Sequence, residues 1–171
     1  MRKIVFFTIA LCLVASSAVM AKDMTGRFGL GFVNSAAPVG GIYWLNEKVG
    51  INAGIGFVSE DQGEESATDF SIDFGVPFVI YNTSDRVNFY IRPGLLFQSL
   101  DAGEDTDTRM LLSGSLMFEV FVTDDFSVSA AHGLAVEIYS PGAEGADSMT
   151  DFNTFGRNWT NFGFFYYLPA N

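Results

Sequence analysis

Apolar and polar residues alternate along most of this chain. Between residues 49 and 57 the odd positions hold Val, Ile, Ala, Ile and Phe, and the even positions hold Gly and Asn. From Phe70 to Ile80 the even positions are again apolar, and the same period recurs at residues 116–122 and 126–130. A period of two places each set on one face of a β-strand, whereas an amphipathic helix needs a period of 3.6. The pattern predicts an all-β protein.

Seven breaks rich in Asn, Asp, Gly and Ser, which favour turns, interrupt the alternation. Most of the segments between them are longer than the ~5–6 residues usual in soluble proteins. They suit the ~9–11 residues that a tilted strand needs to cross a bilayer. The eight predicted strands are 26–34, 38–45, 49–59, 69–81, 87–100, 109–122, 126–139 and 158–168.

The two faces of these strands differ in size. One face carries Phe, Ile, Leu and Val, and the other carries Gly, Ser, Ala and Asn with isolated charges. A small soluble barrel fills its interior with bulky side chains, whereas here the small face suits a narrow interior and the bulky face suits lipid. An even number of strands closes the sheet without an edge, as hydrocarbon requires. We therefore expect a closed antiparallel eight-stranded up-and-down transmembrane β-barrel.

The first 21 residues have the features of a secretory signal peptide. Met1-Arg2-Lys3 gives a basic start, residues 4–15 are almost wholly apolar, and small residues lead to Ala21. The apolar stretch is too short to cross a bilayer as a helix. We expect cleavage after Ala21. Residues 22–171 then form one barrel domain, secreted to the outer membrane.

Charge is distributed unevenly between the connections. Removing Arg2 and Lys3 leaves 7 basic residues against 20 acidic ones, a formal charge of −13, which argues against a nucleic-acid partner. Acidic residues concentrate in the long connections 60–68, 101–108 and 140–157. The connections between them are short, and long outer loops alternating with short periplasmic turns are typical of outer-membrane barrels. We expect the three acidic loops to be extracellular and able to contact a surface partner.

Residues 40–50 and 91–97 look like hairpin and strand pieces of the OmpA/OmpX-like eight-stranded outer-membrane barrels. The resemblance covers the whole mature chain and implies an integral outer-membrane barrel. From the residues we expect a non-enzymatic scaffold that displays its acidic loops for surface interaction or envelope integrity. Its implied partners are outer-membrane lipids, including lipopolysaccharide, and the outer-membrane assembly machinery. One departure concerns the C-terminus, because such barrels usually end in an aromatic residue and this chain ends Tyr167-Leu168-Pro169-Ala170-Asn171. Aromatic residues near strand ends, Trp44, Trp159 and Tyr167 among them, are predicted to form interfacial girdles.

Few residues offer chemistry. His132 is the only histidine and the mature chain has no cysteine, so a Cys/His metal site is excluded. Ser129 lies on the opposite strand face from His132, which argues against a lipid-modifying enzyme. The acidic loops lack the spacing of a calcium-binding loop. No catalytic residue, cofactor or metal is predicted; a small-solute channel or carrier and, less favoured, a lipid-modifying enzyme remain as alternatives.

Four charged residues fall on the small-residue face and are predicted to point into the lumen: Asp73, Arg92, Glu119 and Glu137. Buried charges need partners, so we expect an interior ion-pair network. Simple hairpin registers place Arg92 beside Glu119, with Asp73 and Glu137 nearer the outer mouth. Such a network is expected to plug the barrel, with a proton or ion path as the functional alternative.

Overall fold

A computed structural model describes residues 22–61, 66–84, 86–101, 105–153 and 160–169. In this part of the chain no helix is long and apolar enough to cross a membrane. The described strands are β1 (Phe28–Phe32), β2 (Val39–Trp44), β3 (Gly50–Asp61), β4 (Ser66–Gly75), β5 (Phe78–Ser84), β6 (Val87–Asp101), β7 (Thr106–Phe121), β8 (Phe126–Ser140), β9 (Met149–Asn153) and β10 (Thr160–Tyr167).

The strands form one closed antiparallel barrel of eight staves, which confirms the predicted all-β, eight-stranded closed barrel. β4 and β5 form one stave, since both pair with β6 in a continuous register that runs from Gly75–Gly94 to Phe78–Ile91. The ladder is interrupted at Pro77, which has no N–H to donate. β9 and β10 both pair with β8, and β10 also pairs with β1 and so closes the barrel.

The barrel is apolar outside and polar inside. Phe57 and Phe162 point outward with 68% and 71% of their surface exposed. Polar side chains take the inward positions of the same sheet, and Asn88 and Glu119 are 2% and 0% exposed. The alternation predicted from the sequence therefore holds, with the bulky apolar set on the outer face.

The barrel has two distinct ends. The short-turn end carries the turns 45–49 and 122–125 and the connection between β5 and β6, together with the first and last described residues. The loop end carries the connection 33–38 and the connections that follow Asp61, Asp101 and Ser140. This division agrees with the predicted alternation of short and long connections.

Bulky side chains fill the lumen at the short-turn end. The rings of Trp44 and Tyr90 lie 5.3 Å apart, and those of Phe121 and Tyr167 lie 5.7 Å apart. Met24 is 2% exposed in the same cluster, so the segment before β1 enters the barrel from the short-turn end. We call this cluster the aromatic plug; it consists of Met24, Ile42, Trp44, Tyr90, Met117, Phe121, Phe165 and Tyr167.

Trp44 and Tyr167 therefore do not belong to an interfacial girdle, and this part of the prediction was wrong. Both side chains point into the lumen and are 1% and 0% exposed. They fall on the inward phase of β2 and β10, where a large ring fills the barrel interior. Trp159, the third aromatic residue named for the girdle, lies outside the described residues.

The connection between β1 and β2 folds into the lumen instead of standing above it. The Asn34 Oδ1 atom accepts hydrogen bonds from the backbone N–H groups of Ala36, at 2.9 Å, and Ala37, at 2.8 Å. The Ser71 hydroxyl donates to the Ala36 carbonyl. A Cβ at Gly56 would lie 2.0 Å from that carbonyl oxygen, so only glycine permits the close approach. We call residues 33–38 the inward loop.

The acidic connections are shorter than the sequence predicted. β3 continues to Asp61 and β4 begins at Ser66, inside the predicted loop 60–68. β6 continues to Asp101 and β7 begins at Thr106, inside the predicted loop 101–108, and β9 lies within 140–157. These polar residues take part in antiparallel pairing, which satisfies their backbone groups although their side chains are hydrophilic.

Candidate functional site

The half of the lumen nearer the loop end contains a cavity of about 330 Å³. Several inward residues of β7 and β8 at this level are small, among them Ser113, Ser115 and Gly133, and they leave the centre of the barrel open. Asn34 and Ala36 of the inward loop border the same space. We call it the lumen cavity. Among the described residues, the lumen is thus filled in the short-turn half and contains a cavity in the half nearer the loop end.

An ion pair forms the floor of the lumen cavity. The Arg92 Nη2 atom donates to Asp73 Oδ2 at 2.7 Å, and Arg92 Nε donates to Asn52 Oδ1 at 2.9 Å. Asn34 Nδ2 donates to the same Asp73 oxygen at 2.7 Å. A Cβ at Gly75 would lie 2.4 Å from Arg92 Cζ, so this glycine makes room for the guanidinium. The side chains of Asp73 and Arg92 are 4% and 11% exposed, and the partners compensate part of their lost hydration.

The expected pair of Arg92 with Glu119 was wrong. In the β6–β7 ladder Arg92 lies opposite Ser115, whereas Glu119 lies opposite Asn88. The two residues are thus offset by four positions, or ~13 Å along the strands. The sequence misplaced the register by two residues because β6 and β7 continue to Asp101 and Thr106, which tightens the hairpin.

Glu119 lies inside the aromatic plug and is held by hydroxyl groups. Its side chain is fully buried. Its Oε1 atom accepts hydrogen bonds from Ser127 Oγ at 2.5 Å and Tyr167 OH at 2.7 Å, and its Oε2 atom accepts one from Tyr90 OH. We call these three donors the hydroxyl cage. They replace water around the carboxylate, as buried polar groups require.

Glu137 pairs with Arg109, a residue that the sequence analysis did not select. The Glu137 Oε1 atom lies 2.7 Å from Arg109 Nε, but the N–H is not aligned for a hydrogen bond, so the contact is an ion pair without that directional bond. The guanidinium also lies 5.9 Å from the Tyr139 ring centroid. Arg109 has the same inward phase as Leu111 and Ser113. It was not selected from the sequence because it is the first residue of the predicted strand 109–122.

All four predicted lumen charges point inward, but the described contacts group them at three places. Asp73 and Arg92 form the floor of the lumen cavity, and Glu137 pairs with Arg109 on its wall. Glu119 is held in the aromatic plug by neutral donors. The arrangement supplies fixed charges and hydrogen-bonding groups to the lumen cavity.

On β3, β4, β6, β7 and β8 the outer surface changes from apolar to polar toward the loop end. Phe57 pairs with Phe70, and Phe97 pairs with Met110, all on the outward face. The next outward positions toward the loop end carry hydroxyl side chains. These are Ser59, Thr68, Ser99, Thr108 and Ser140. The upper boundary of the apolar surface is therefore marked by a row of Ser and Thr.

The two residues considered for catalysis, His132 and Ser129, point to opposite faces of β8. His132 is outward and pairs with Leu116 and Thr160, whereas Ser129 is inward and 8% exposed. Within the described ranges no group of three or more His, Cys, Asp or Glu residues is arranged to hold a metal ion.

No family model, curated protein or solved structure matches this chain.

Proposed function

We propose that this chain is a non-enzymatic integral outer-membrane β-barrel, a scaffold that spans the membrane and presents acidic surface at its loop end. The observation that carries the proposal is the exposed apolar outer face, with Phe57, Leu116 and Phe162 each more than 60% exposed. Monomeric soluble proteins rarely expose apolar patches larger than a few hundred Å². Contact with lipid tails would remove these apolar side chains from water.

The height of the apolar surface supports the proposal. On β7 and the residue after it, the outward residues from Met110 to Val122 are mostly exposed and mostly apolar, and twelve residue-to-residue steps separate the first from the last. At ~3.3 Å per residue this is ~40 Å along the strand, and a tilt of ~40° reduces it to ~30 Å. This matches the ~30 Å hydrocarbon core of a bilayer. We propose that the row of Ser and Thr lies just outside that core.

The difference between the two ends supports the proposed orientation. Short turns mark one end, and the described acidic residues Asp69, Asp101, Asp105 and Asp107 lie toward the other. By the outer-membrane pattern the loop end faces outside and the short turns face the periplasm. Lipids, including lipopolysaccharide, would contact the apolar surface. The assembly machinery would insert the barrel, and an extracellular partner would bind the loop end.

Similarity to the OmpA/OmpX-like barrels remains part of the proposal, since the architecture fits that group without identifying it. A non-enzymatic role is favoured by the positions of His132 and Ser129 on opposite faces of β8. A hydrolytic or transfer site would need the two side chains within hydrogen-bond reach. The proposed signal peptide, residues 1–21, lies outside the described residues.

Cell fractionation and gel mobility test the proposal together. We expect the chain in outer membranes, extracted only by detergent, and migrating differently before and after boiling because a closed barrel resists unfolding. A tag at Gly145 should be accessible on intact cells, and a matched tag at Lys48 should not be. Recovery as a soluble periplasmic protein would overturn the membrane proposal, and the reverse tag pattern would overturn its orientation.

A further inference from the structure

The interior of an eight-stranded barrel is just wide enough either to be filled by side chains or to hold one small ligand. The aromatic plug fills the short-turn half. In the other half, Ser113, Ser115 and Gly133 leave about 330 Å³ open, which falls within the ~300–1,000 Å³ range of ligand pockets. Larger side chains at these three positions would reduce the open volume, so local residue choice contributes to its size.

The charges on the wall of the lumen cavity are balanced. Arg92 pairs with Asp73 and Arg109 pairs with Glu137, each with a nitrogen–oxygen distance of 2.7 Å. A charged solute would lose hydration without finding an unpaired counter-charge among these four residues. Acidic residues toward the loop end would also repel anions. These features favour a solute without net charge.

The rest of the lining suits a molecule with hydroxyl groups on a compact carbon frame. The side-chain amides of Gln98 and Asn161 line the cavity, and each amide carries both donors and an acceptor. The paired charged groups can form strong charge-assisted hydrogen bonds to hydroxyls. Leu96 and Leu111 supply apolar surface beside them. The volume equals roughly ten water molecules, so the solute has about that many non-hydrogen atoms.

The floor of the lumen cavity determines whether a solute can pass through the barrel or can only bind in the cavity. The Arg92–Asp73 pair separates the lumen cavity from the aromatic plug, which fills the short-turn half. A solute that enters from the loop end must therefore leave by the same end. We propose that the lumen cavity is a binding site for a small uncharged polyol of monosaccharide size. This inference rests on the cavity and its lining, and it is independent of the membrane assignment.

Nuclear magnetic resonance on the folded, nitrogen-15-labelled barrel tests the inference, with glucose as the probe. We expect saturable shifts of the Gln98 and Asn161 side-chain amide signals in the millimolar range, as for a weak ligand of this size. Ser113→Phe should place an aromatic ring inside the cavity, remove part of the space for the solute and weaken binding at least tenfold. The matched control Leu112→Phe changes the adjacent outward residue, which is 53% exposed, and should leave binding unchanged.

Gln98→Leu provides a second variant that keeps the cavity open while removing one amide, and it should weaken glucose binding several-fold. Absence of saturable shifts with glucose, sorbitol and glycerol, well above the millimolar range, would overturn the inference. Saturation by glutamate or lysine without glucose binding would overturn it as well. Because fractionation is a separate measurement, failure here is distinguishable from failure of the membrane proposal.

Discussion

The ion pair between Arg92 and Asp73 allows the effect of a substitution to be worked from the structure. Arg92→Met leaves the Asp73 carboxylate, 4% exposed, with Asn34 as a remaining donor. Breaking a buried ion pair by removing one partner costs about 3–5 kcal/mol. The pair borders the lumen cavity, where water can compensate part of the loss. We therefore expect the free energy of unfolding to fall by about 2–3 kcal/mol.

A double-mutant cycle tests whether this loss belongs to the pair. Asp73→Asn alone should also destabilise, because it leaves the guanidinium without its counter-charge. The double variant Arg92→Met/Asp73→Asn should cost less than the sum of the singles by about 1–3 kcal/mol. A matched cycle that combines Arg92→Met with Glu119→Gln should be additive within about 0.5 kcal/mol, because these residues lie ~13 Å apart along the strands.

Urea unfolding of the barrel in lipid vesicles provides the measurement. Trp44 is 1% exposed in the aromatic plug, so its fluorescence should report the loss of the packed lumen. The chain has two tryptophans, and a Trp159→Phe background leaves Trp44 as the single probe. Unchanged urea slopes would show that stability alone has changed. Additivity for Asp73 together with strong coupling for Glu119 would refute the arrangement described for the lumen.

Three further predictions concern the inward loop, the hydroxyl cage and the short-turn end. Gly56→Ala should destabilise by about 1–3 kcal/mol because its Cβ would meet the inward loop, whereas the control Gly114→Ala, with nothing within 4 Å, should change the unfolding midpoint little. Tyr167→Phe removes one charge-assisted hydrogen bond of the hydroxyl cage and should cost about 1.5–3 kcal/mol, so an unchanged midpoint would contradict the cage. The Lys22 ammonium, hydrogen-bonded to Asp124, holds the pKa of that carboxyl below its usual 3.8. The stability that this ion pair contributes is present above pH 3.8 and is lost as the pH falls through the lowered pKa of Asp124. Asp124→Asn should therefore lower Tm at neutral pH. A Tm difference between variant and wild type that persisted in strong acid would exclude this cause.

Much of the architecture follows from local sequence pattern. A period of two assigns each residue to a strand face wherever the strand is regular, so the alternation was sufficient to place Asp73, Arg92, Glu119 and Glu137 inside. The small inward residues and bulky outward ones likewise predicted the apolar exterior. Turn-forming residues separated the eight staves, although Pro77 divides one stave in a way that the pattern did not reveal.

Contacts across the lumen required the tertiary structure. Which inward charges meet depends on hairpin register, and a shift of two residues between β6 and β7 separates Arg92 from Glu119. The sequence pattern also does not predict that Asn34 and Met24 enter the barrel interior. The phase of a strand is encoded by neighbouring residues, whereas these contacts depend on the closure of the whole barrel. The local alternation therefore predicts the strand face of most residues, whereas the partner that a residue meets there depends on register and barrel closure, which join residues far apart in the chain.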